Sequence, residues 1–392
     1  CPAVLLRSSG PAERGAAYVS RQFMDTLQSL GHEVYIYARG GEKFAKGDDK
    51  WDLDNVTWNS FLLSPVPTDI DKVQFENWLS ENNIETVIFN EQQYWEPILW
   101  VKQKKINTVA YIDYYTKDTI KLFDIYDQVW CNTHRHASAF KWHPGMKYLP
   151  WGTDVNLFKP AFDSWLTEPK VTTFFHSAGM SPYRKGTDFV IQAAFNLLNQ
   201  NITNFKLLIH IQTDLFKFFP DLRGKVLSLK RSGHLELVNK TVAAPGLYHL
   251  GDVYVYPSRL EGIGLTIAEA MSCGLPTIVT DEGPMNEFID PVSCRAVAVD
   301  KREVRKDGYF WPMAFVNVNK LAEAMKFYIN NPDDLLRAKQ QTRQFCLDNL
   351  DFDKNKVNSQ VALNDLVKRS MAVGLYEKLV KIDQRFTRFY IG

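Results

Sequence analysis

"GDVYVYPSRLEGIGLTIAEAMSCGLPTIVT", residues 251–280, decides the fold. Its opening, "GDVYVYPS" (251–258), alternates, then runs apolar, and stops at Pro257. That pattern reads as a buried strand. "LTIAEAMSCG" (265–274) is built of helix formers and ends on Gly274, a good C-terminal stop. "PTIVT" (276–280) is a second strand. Strand, glycine turn, helix and strand make a parallel α/β unit. In such sheets the turns at the carboxyl ends of the strands are where ligands bind.

The turn itself predicts an anion. Glu261, Gly262, Ile263 and Gly264 lead into the helix that Leu265 and Thr266 open. The first backbone N–H groups of a helix lack intrahelical partners, and the helix dipole adds positive potential there. Glycines let an anion approach that backbone closely. A phosphate site is therefore expected at Gly264, Leu265 and Thr266. Glu269 follows Leu265 by four residues, on about the same face and roughly 6 Å along the axis. A nucleotide's ribose lies about as far from its phosphate, and a carboxylate accepts two hydrogen bonds from a vicinal diol. Glu261, on the turn, is placed to accept from sugar hydroxyls beyond the phosphate. Acids at helix N-termini are common in themselves. That accounts for Glu261 but neither for the glycines nor for Glu269 inside an apolar stretch.

The 392 residues allow two domains of ordinary size. With 45% hydrophobic and 23% charged residues the composition is that of a soluble globular protein. A formal net charge of +1 gives no bulk argument for nucleic acid. The five cysteines are scattered, odd in number and without C-x-x-C, which suits a reducing, cytoplasmic compartment and offers no metal site. No apolar run reaches membrane-spanning length and no signal peptide is visible. A chain that opens at Cys1 without methionine is consistent with a trimmed protein or a piece of a longer one.

The first half alternates. Strands are expected at 3–6, 33–38, 56–62, 86–90, 108–113, 128–132 and 147–149, and helices at 16–31, 71–82, 94–104 and 134–142. "PWGTDVNLFKPAFDSWLTEPK" (150–170), with three prolines and a glycine, reads as a linker. A second series then starts with "VTTFFHSA" (171–178), a helix at 187–199 and "KLLIHI" (206–211). The chain turns largely helical from Val318. The expected architecture is α/β: two doubly wound, Rossmann-like domains with a ligand cleft between them. The boundaries fall at 1–160, 161–350 and 351–392, the last being helices that return to the N-terminal domain.

Three further stretches join the opening one. "SSGPAERGAAYV" (8–19) places Gly15 near a helix N-terminus but is not the dinucleotide G-x-G-x-x-G. "SPYRKGTDF" (181–189) puts Arg184 and Lys185 just before a Gly-opened helix, a sensible grip for a diphosphate. "PWGTDVNLFKP" lies at the junction. With these the chain resembles the retaining glycosyltransferases of family 4, which have the GT-B fold. That family has a Gly-rich first loop, G-x-D-x-x-x-F-x-P at the linker, K-G opening a helix, and P-S-x-x-E-G-x-G-L-x-x-x-E-A-M-x-x-G-x-P, whose two Glu form an E-x7-E spacing. Here stand Gly15; Gly152, Asp154, Phe158 and Pro160; Lys185 and Gly186; and Pro257 through Pro276. The last motif is long and specific, and the resemblance covers nearly the whole chain.

The resemblance implies that Lys185 binds the donor diphosphate, Glu269 the ribose, and Glu261 with its turn the donor sugar. Gly15 would let the N-terminal backbone approach the donor or the reacting centre. It implies a UDP- or GDP-sugar donor, retention of anomeric configuration, no bound metal and no other cofactor. A glycan or lipid-linked acceptor follows, with peripheral membrane contact as one option. This chain departs from the pattern at several points. Met180 stands where a second cation is usual, with Arg184 as a substitute, and Asp113 stands where a His usually faces the donor sugar. Trp151 replaces an Asn, and "GPMNE" (283–287) replaces the commoner Gly-Gly.

Three D-x-D pairs, Asp52/Asp54, Asp69/Asp71 and Asp351/Asp353, are expected by chance among 45 acidic residues and read as turns or caps. His134 and His136 reach either a cleft or a capping position. "NEQQYWEP" (90–97) suits a sugar acceptor or a plain loop. The tail 375–390 has one apolar face flanked by Lys and Arg. It reads as a packed helix in preference to an interfacial one. Two other functions stay open: a nucleotide-sugar-binding module without turnover, and a GT-B sugar-nucleotide epimerase.

Overall fold

The computed structural model describes residues 2–6, 15–38, 46–59, 70–90, 95–112, 114–161, 163–370, 374, 375, 378 and 379. Asp113, Asp69, the 91–94 part of "NEQQYWEP" and nearly all of the tail lie outside these. The chain divides into two compact units, residues 1–150 with 356–392, and residues 151–355. The division thus falls after Pro150 and Asn355, instead of at 160 and 350.

The first unit contains β1 (Pro2–Leu6), α1 (Gly15–Ser29), β2 (Tyr35–Ala38), β3 (Val56–Trp58), α2 (Lys72–Glu81), β4 (Thr86–Asn90) and α3 (Glu96–Gln103). β5 (Asn107–Tyr111), β6 (Gln128–Cys131), α4 (His134–Ala139) and β7 (Met146–Tyr148) follow. Its seven strands lie in the order β3-β2-β1-β4-β5-β6-β7, all parallel. Helices cover both faces of such a sheet, so its central strands are apolar throughout; Val87, Ile88 and Phe89 of β4 are fully buried. α4 stops at Ala139, short of the expected 142. Phe140 leaves the helix and packs against Tyr115 and Phe123.

The second unit contains β8 (Thr172–Gly179), α5 (Thr187–Asn199), β9 (Phe205–Ile211), α6 (Leu215–Phe218), α7 (Arg223–Arg231), β10 (Leu235–Asn239), β11 (Val253–Tyr256) and α8 (Leu265–Ser272). β12 (Thr277–Thr280) and β13 (Arg295–Val297) complete a parallel sheet ordered β10-β9-β8-β11-β12-β13. An antiparallel ribbon, β14 (Val299–Glu303) and β15 (Met313–Val316), precedes α9 (Val318–Asn330), α10 (Pro332–Asn349) and α11 (Phe352–Asn355). Ala193 and Ala194 of α5 and Leu321, Ala322 and Met325 of α9 share one buried cluster with the strands. Small residues there let two helices lie close on the same face of the sheet.

The Pro-rich stretch is not a loose linker. Asp154 Oδ1 accepts from the N–H groups of Asn156 and Leu157 at 2.9 Å each. Thr153 N donates to Leu350 O at 2.8 Å. Arg343 donates to Val155 O and to Phe158 O at 3.1 and 3.2 Å. Prolines signal that no long helix or strand runs through 150–170, which holds only a 3-10 turn at Asp163–Leu166 among the described residues; they say nothing about how tightly the stretch is held.

Beyond it, α12 (Val357–Asn364) belongs to the first unit. Gln128 Nε2 donates to Ala362 O at 2.7 Å, and the Arg369 backbone N–H donates to Asp127 at 2.6 Å. Asp127 is fully buried and also pairs with Lys102 at 2.7 Å. A buried carboxylate needs such a full set of donors to remain in place.

Candidate active site

Both sheets reverse direction of growth at their first strand, and in open parallel sheets that switch point is the ligand position. In the second unit it lies between β8 and β11. The turns leaving those two strands carry the predicted residues. Gly186, the residue before α5, has φ +72°. A Cβ there would lie 2.1 Å from Pro257 O, so only glycine lets the two turns meet. Arg259 N donates to Arg184 O at 2.8 Å. The Lys-Gly pair thus brings its cations to the turn after β11.

Glu261 is the meeting point. Its Oε1 accepts from Ser258 Oγ at 2.5 Å, Tyr256 OH at 2.8 Å and Lys185 Nζ at 2.9 Å. Its Oε2 pairs with Arg184 at 2.6 Å. Burial alone would favour the neutral acid, but the Arg184 and Lys185 charges and the Ser258 hydrogen bond hold the carboxyl down to about 2. Burial and the neighbouring Arg184 push Lys185 down to about 8, with Glu261 opposing them. Both groups are therefore ionised at pH 7. The Lys185 ammonium also touches Tyr256 OH and lies 4.7 Å from that ring's centroid.

Gly264, at φ +85°, ends the turn, and Leu265 and Thr266 open α8. Gly262 and Ile263 lie between, half-buried. Glu269, one turn into α8, is half-buried, and Tyr248 OH donates to its Oε2 at 2.6 Å. Burial raises the Glu269 carboxyl above the ordinary range, against the opposing pull of Tyr248 and Lys185. Met180, at the end of β8, is 57% exposed and brings no charge.

Besides Tyr248, three residues of the site were not singled out from sequence. Tyr256 and Ser258 supply hydroxyls to Glu261; both lie in the quoted stretch, where strand register read them as core and turn. His176 of β8 is fully buried, with Nδ1 2.7 Å from Val255 O and Nε2 2.8 Å from Thr187 Oγ1. A carbonyl partner fixes the Nδ1–H tautomer. Burial holds the ring neutral, with its pKa pushed down to about 4. It ties β8, β11 and the first residue of α5 together. Arg259 looks like a further donor-site cation but is structural. It forms a two-pronged pair with Asp188 at 2.8 and 2.6 Å and lies over the rings of Tyr183, Phe189 and Phe315.

In the first unit, Gly15 is the first residue of α1. The edge of that sheet holds buried amides: Asn90 Nδ2 donates to Ser20 Oγ at 2.6 Å, and Asn132 meets Tyr111 OH. His136 is buried and bonded to Tyr115 OH at 2.9 Å, while His134 is exposed and stacked on Tyr148 at 4.2 Å. The acidic pairs serve as local caps. Asp71 caps α2 through Gln74 N, Asp351 accepts from Asp353 N, and Asp52 accepts from Trp58 Nε1 and Gly47 N.

Comparison with known proteins agrees with this geometry. Residues 171–329 match the family model "Glycosyl transferases group 1". A GDP-mannose-dependent monoacylated α-(1-6)-phosphatidylinositol monomannoside mannosyltransferase of Corynebacterium glutamicum is 27% identical over 317 residues, 70% of this chain and 78% of that protein. The structure of a Rickettsia africae glycosyltransferase superposes with a TM-score of 0.73 at 16% identity, covering 94% of this chain and 99% of that one. Anabaena HepE in complex with UDP-glucose superposes at 0.69 with 15% identity, covering 93% of this chain and 100% of that one. With two Rossmann-like units and a group 1 domain in the second, the chain is a glycosyltransferase of GT-B fold, similar to family 4.

Proposed function

We propose that the chain moves a hexose from a nucleoside-diphosphate sugar to a glycan or lipid-linked acceptor, with retention and without a bound metal. The observation that carries this is the cluster of Arg184, Lys185 and Glu261 at the β8/β11 switch point, beside the glycine turn that opens α8. The diphosphate lies against the N–H groups of Leu265 and Thr266 and pairs with Lys185 and Arg184. Arg184 stands in for the cation that Met180 does not supply. Glu269 receives the ribose diol and Glu261 a hydroxyl of the sugar.

As the glycosidic bond breaks, its electron pair passes to the diphosphate oxygen. Fixed cations and helix N–H groups stabilise that growing charge more than they stabilise the intact donor. The departing oxygen then takes the proton of the acceptor hydroxyl, which forms the new bond on the same face. Gly15, the first residue of α1, and Asp113 are proposed as further residues that serve the reaction.

The Corynebacterium relative makes GDP-mannose the first donor to try, and the HepE complex makes UDP-glucose the second. The same relative's name supports an acceptor at a membrane surface. No helix among the described residues is long and apolar enough to cross a membrane. The test is transfer of labelled hexose from either donor to a bacterial lipid extract in the presence of EDTA, with the anomeric configuration of the product read by NMR. Transfer with retention in EDTA is expected. Turnover that stops in EDTA and returns with manganese would contradict the metal-free reading, and transfer from neither donor would contradict the proposal as a whole.

A further inference from the structure

We propose that Tyr248 is a positioning residue of the donor site, holding the carboxylate of Glu269 in the orientation that receives the nucleotide's ribose. The inference rests on the ribose assignment of Glu269 made above. Tyr248 belongs to no part of the sequence pattern that marks the site. It lies in the short turn before β11, and its hydroxyl donates to Glu269 Oε2 at 2.6 Å.

The ring is buried and enclosed on three sides. Phe175 of β8 stands edge-on at 5.5 Å, Tyr254 of β11 at 5.8 Å, and Phe158 at 6.1 Å. Phe158 is itself fixed. Its carbonyl accepts from Ser272 Oγ, at the end of α8, and from Arg343, which also donates to Ser272 O at 2.6 Å. The hydroxyl of Tyr248 therefore has one direction available, and α8 is held against the same frame.

The bond has a chemical consequence. A diol offers two O–H donors and needs a carboxylate that presents accepting lone pairs. Tyr248 takes one position on Oε2, while Oε1 has no hydrogen bond among the described residues. Donation to the charged form also opposes the upward push that burial gives this carboxyl. Without it, Glu269 loses the hydrogen bond that fixes Oε2.

The experiment is titration of GDP and UDP, each beside its 2′-deoxy form, into wild type, Tyr248→Phe, Glu269→Ala and the double variant, with donor kinetics and melting temperature on each. Tyr248→Phe should weaken binding of the preferred nucleotide roughly threefold to tenfold, less than the loss of a hydrogen bond to a charged group, because the tyrosine acts only through Glu269. It should shrink the preference for ribose over deoxyribose by a similar factor. KM for the donor should rise with kcat little changed, since the contact serves ground and transition states alike. Adding Tyr248→Phe to Glu269→Ala should cost nothing further. Phe158→Leu, which leaves the hydroxyl in place, should lower the ribose preference by less and serves if Tyr248→Phe does not fold.

If wild type shows no ribose preference, or Glu269→Ala retains it, the ribose assignment falls and this inference with it. If Glu269→Ala loses the preference while Tyr248→Phe keeps it, the inference alone is overturned. Equal weakening of both sugar forms in Tyr248→Phe would make Tyr248 merely structural.

Discussion

The two sheets share one strand order around their switch points, yet their carboxyl edges are built of different chemistry. Between β8 and β11 the second unit buries an ionised cluster: Glu261, 7% exposed, against Lys185 and Arg184. Near β4 and β6 the first unit buries no such pair among the groups described there: the amides of Asn90 and Asn132 meet the hydroxyls of Ser20 and Tyr111, and Arg135 is buried in α4. Topology supplies the place; side chains supply the chemistry. Buried ions are costly and are often replaced by apolar residues without loss of stability. A buried carboxylate that gathers two cations and two hydroxyls is the feature on which the proposed donor site rests.

The largest expected effect breaks the charged edge. Lys185→Ala should lower kcat by roughly a hundred- to a thousandfold, about 2.7–4 kcal/mol, the usual cost of losing one group that stabilises developing negative charge. Intact-donor binding should weaken less, because the charge grows only as the bond breaks. Steady-state kinetics beside direct donor titration separates the two, and an unchanged kcat would remove Lys185 from the mechanism. It would also favour a binding module without turnover.

Next in size is the contact that assembles this edge. Gly186→Ala places a methyl into Pro257 O in a backbone region that costs an L-residue roughly 1–2 kcal/mol by itself. The melting temperature should fall by at least about 2–8 °C, using roughly 2–4 °C per kcal/mol for a domain of this size. Wild-type stability would mean that the two turns move apart freely.

The contrast between the edges also explains what was readable beforehand. Lys185, Glu261 and Glu269 were visible because they lie at fixed spacings beside glycines, where strand, turn and helix signals agree. Both doubly wound sheets were visible for the same reason: β4 and β12 are unbroken apolar runs between turn residues. β10 was not, since its outer residues are half-exposed and mix Glu with Leu and Val. The ribbon of β14 and β15 was hidden by the charges in "VDKRE". Within the site, Ser258 and Tyr256 sat in the quoted stretch, but a hydroxyl's partner depends on how two turns pack. Tyr248 is 21 residues from Glu269 and His176 is 79 from Val255, so neither contact has a local signature. Arg259 shows the converse: a cation in the motif whose aromatic surroundings and Asp188 only the fold reveals.

The most direct test of the difference between the edges is a nucleotide titration of wild type, Glu269→Ala and Asn90→Ala, with UDP and GDP followed by calorimetry and by thermal shift. A ligand that binds only the native state raises its melting temperature. Wild type should bind one of the two diphosphates. Glu269→Ala should bind it more weakly by about 1–3 kcal/mol, the range for hydrogen bonds to a charged group. Asn90→Ala should match wild type, since its edge holds no part of the nucleotide. Equal affinity in wild type and Glu269→Ala, or a loss confined to Asn90→Ala, would contradict the placement of the donor at the β8/β11 edge.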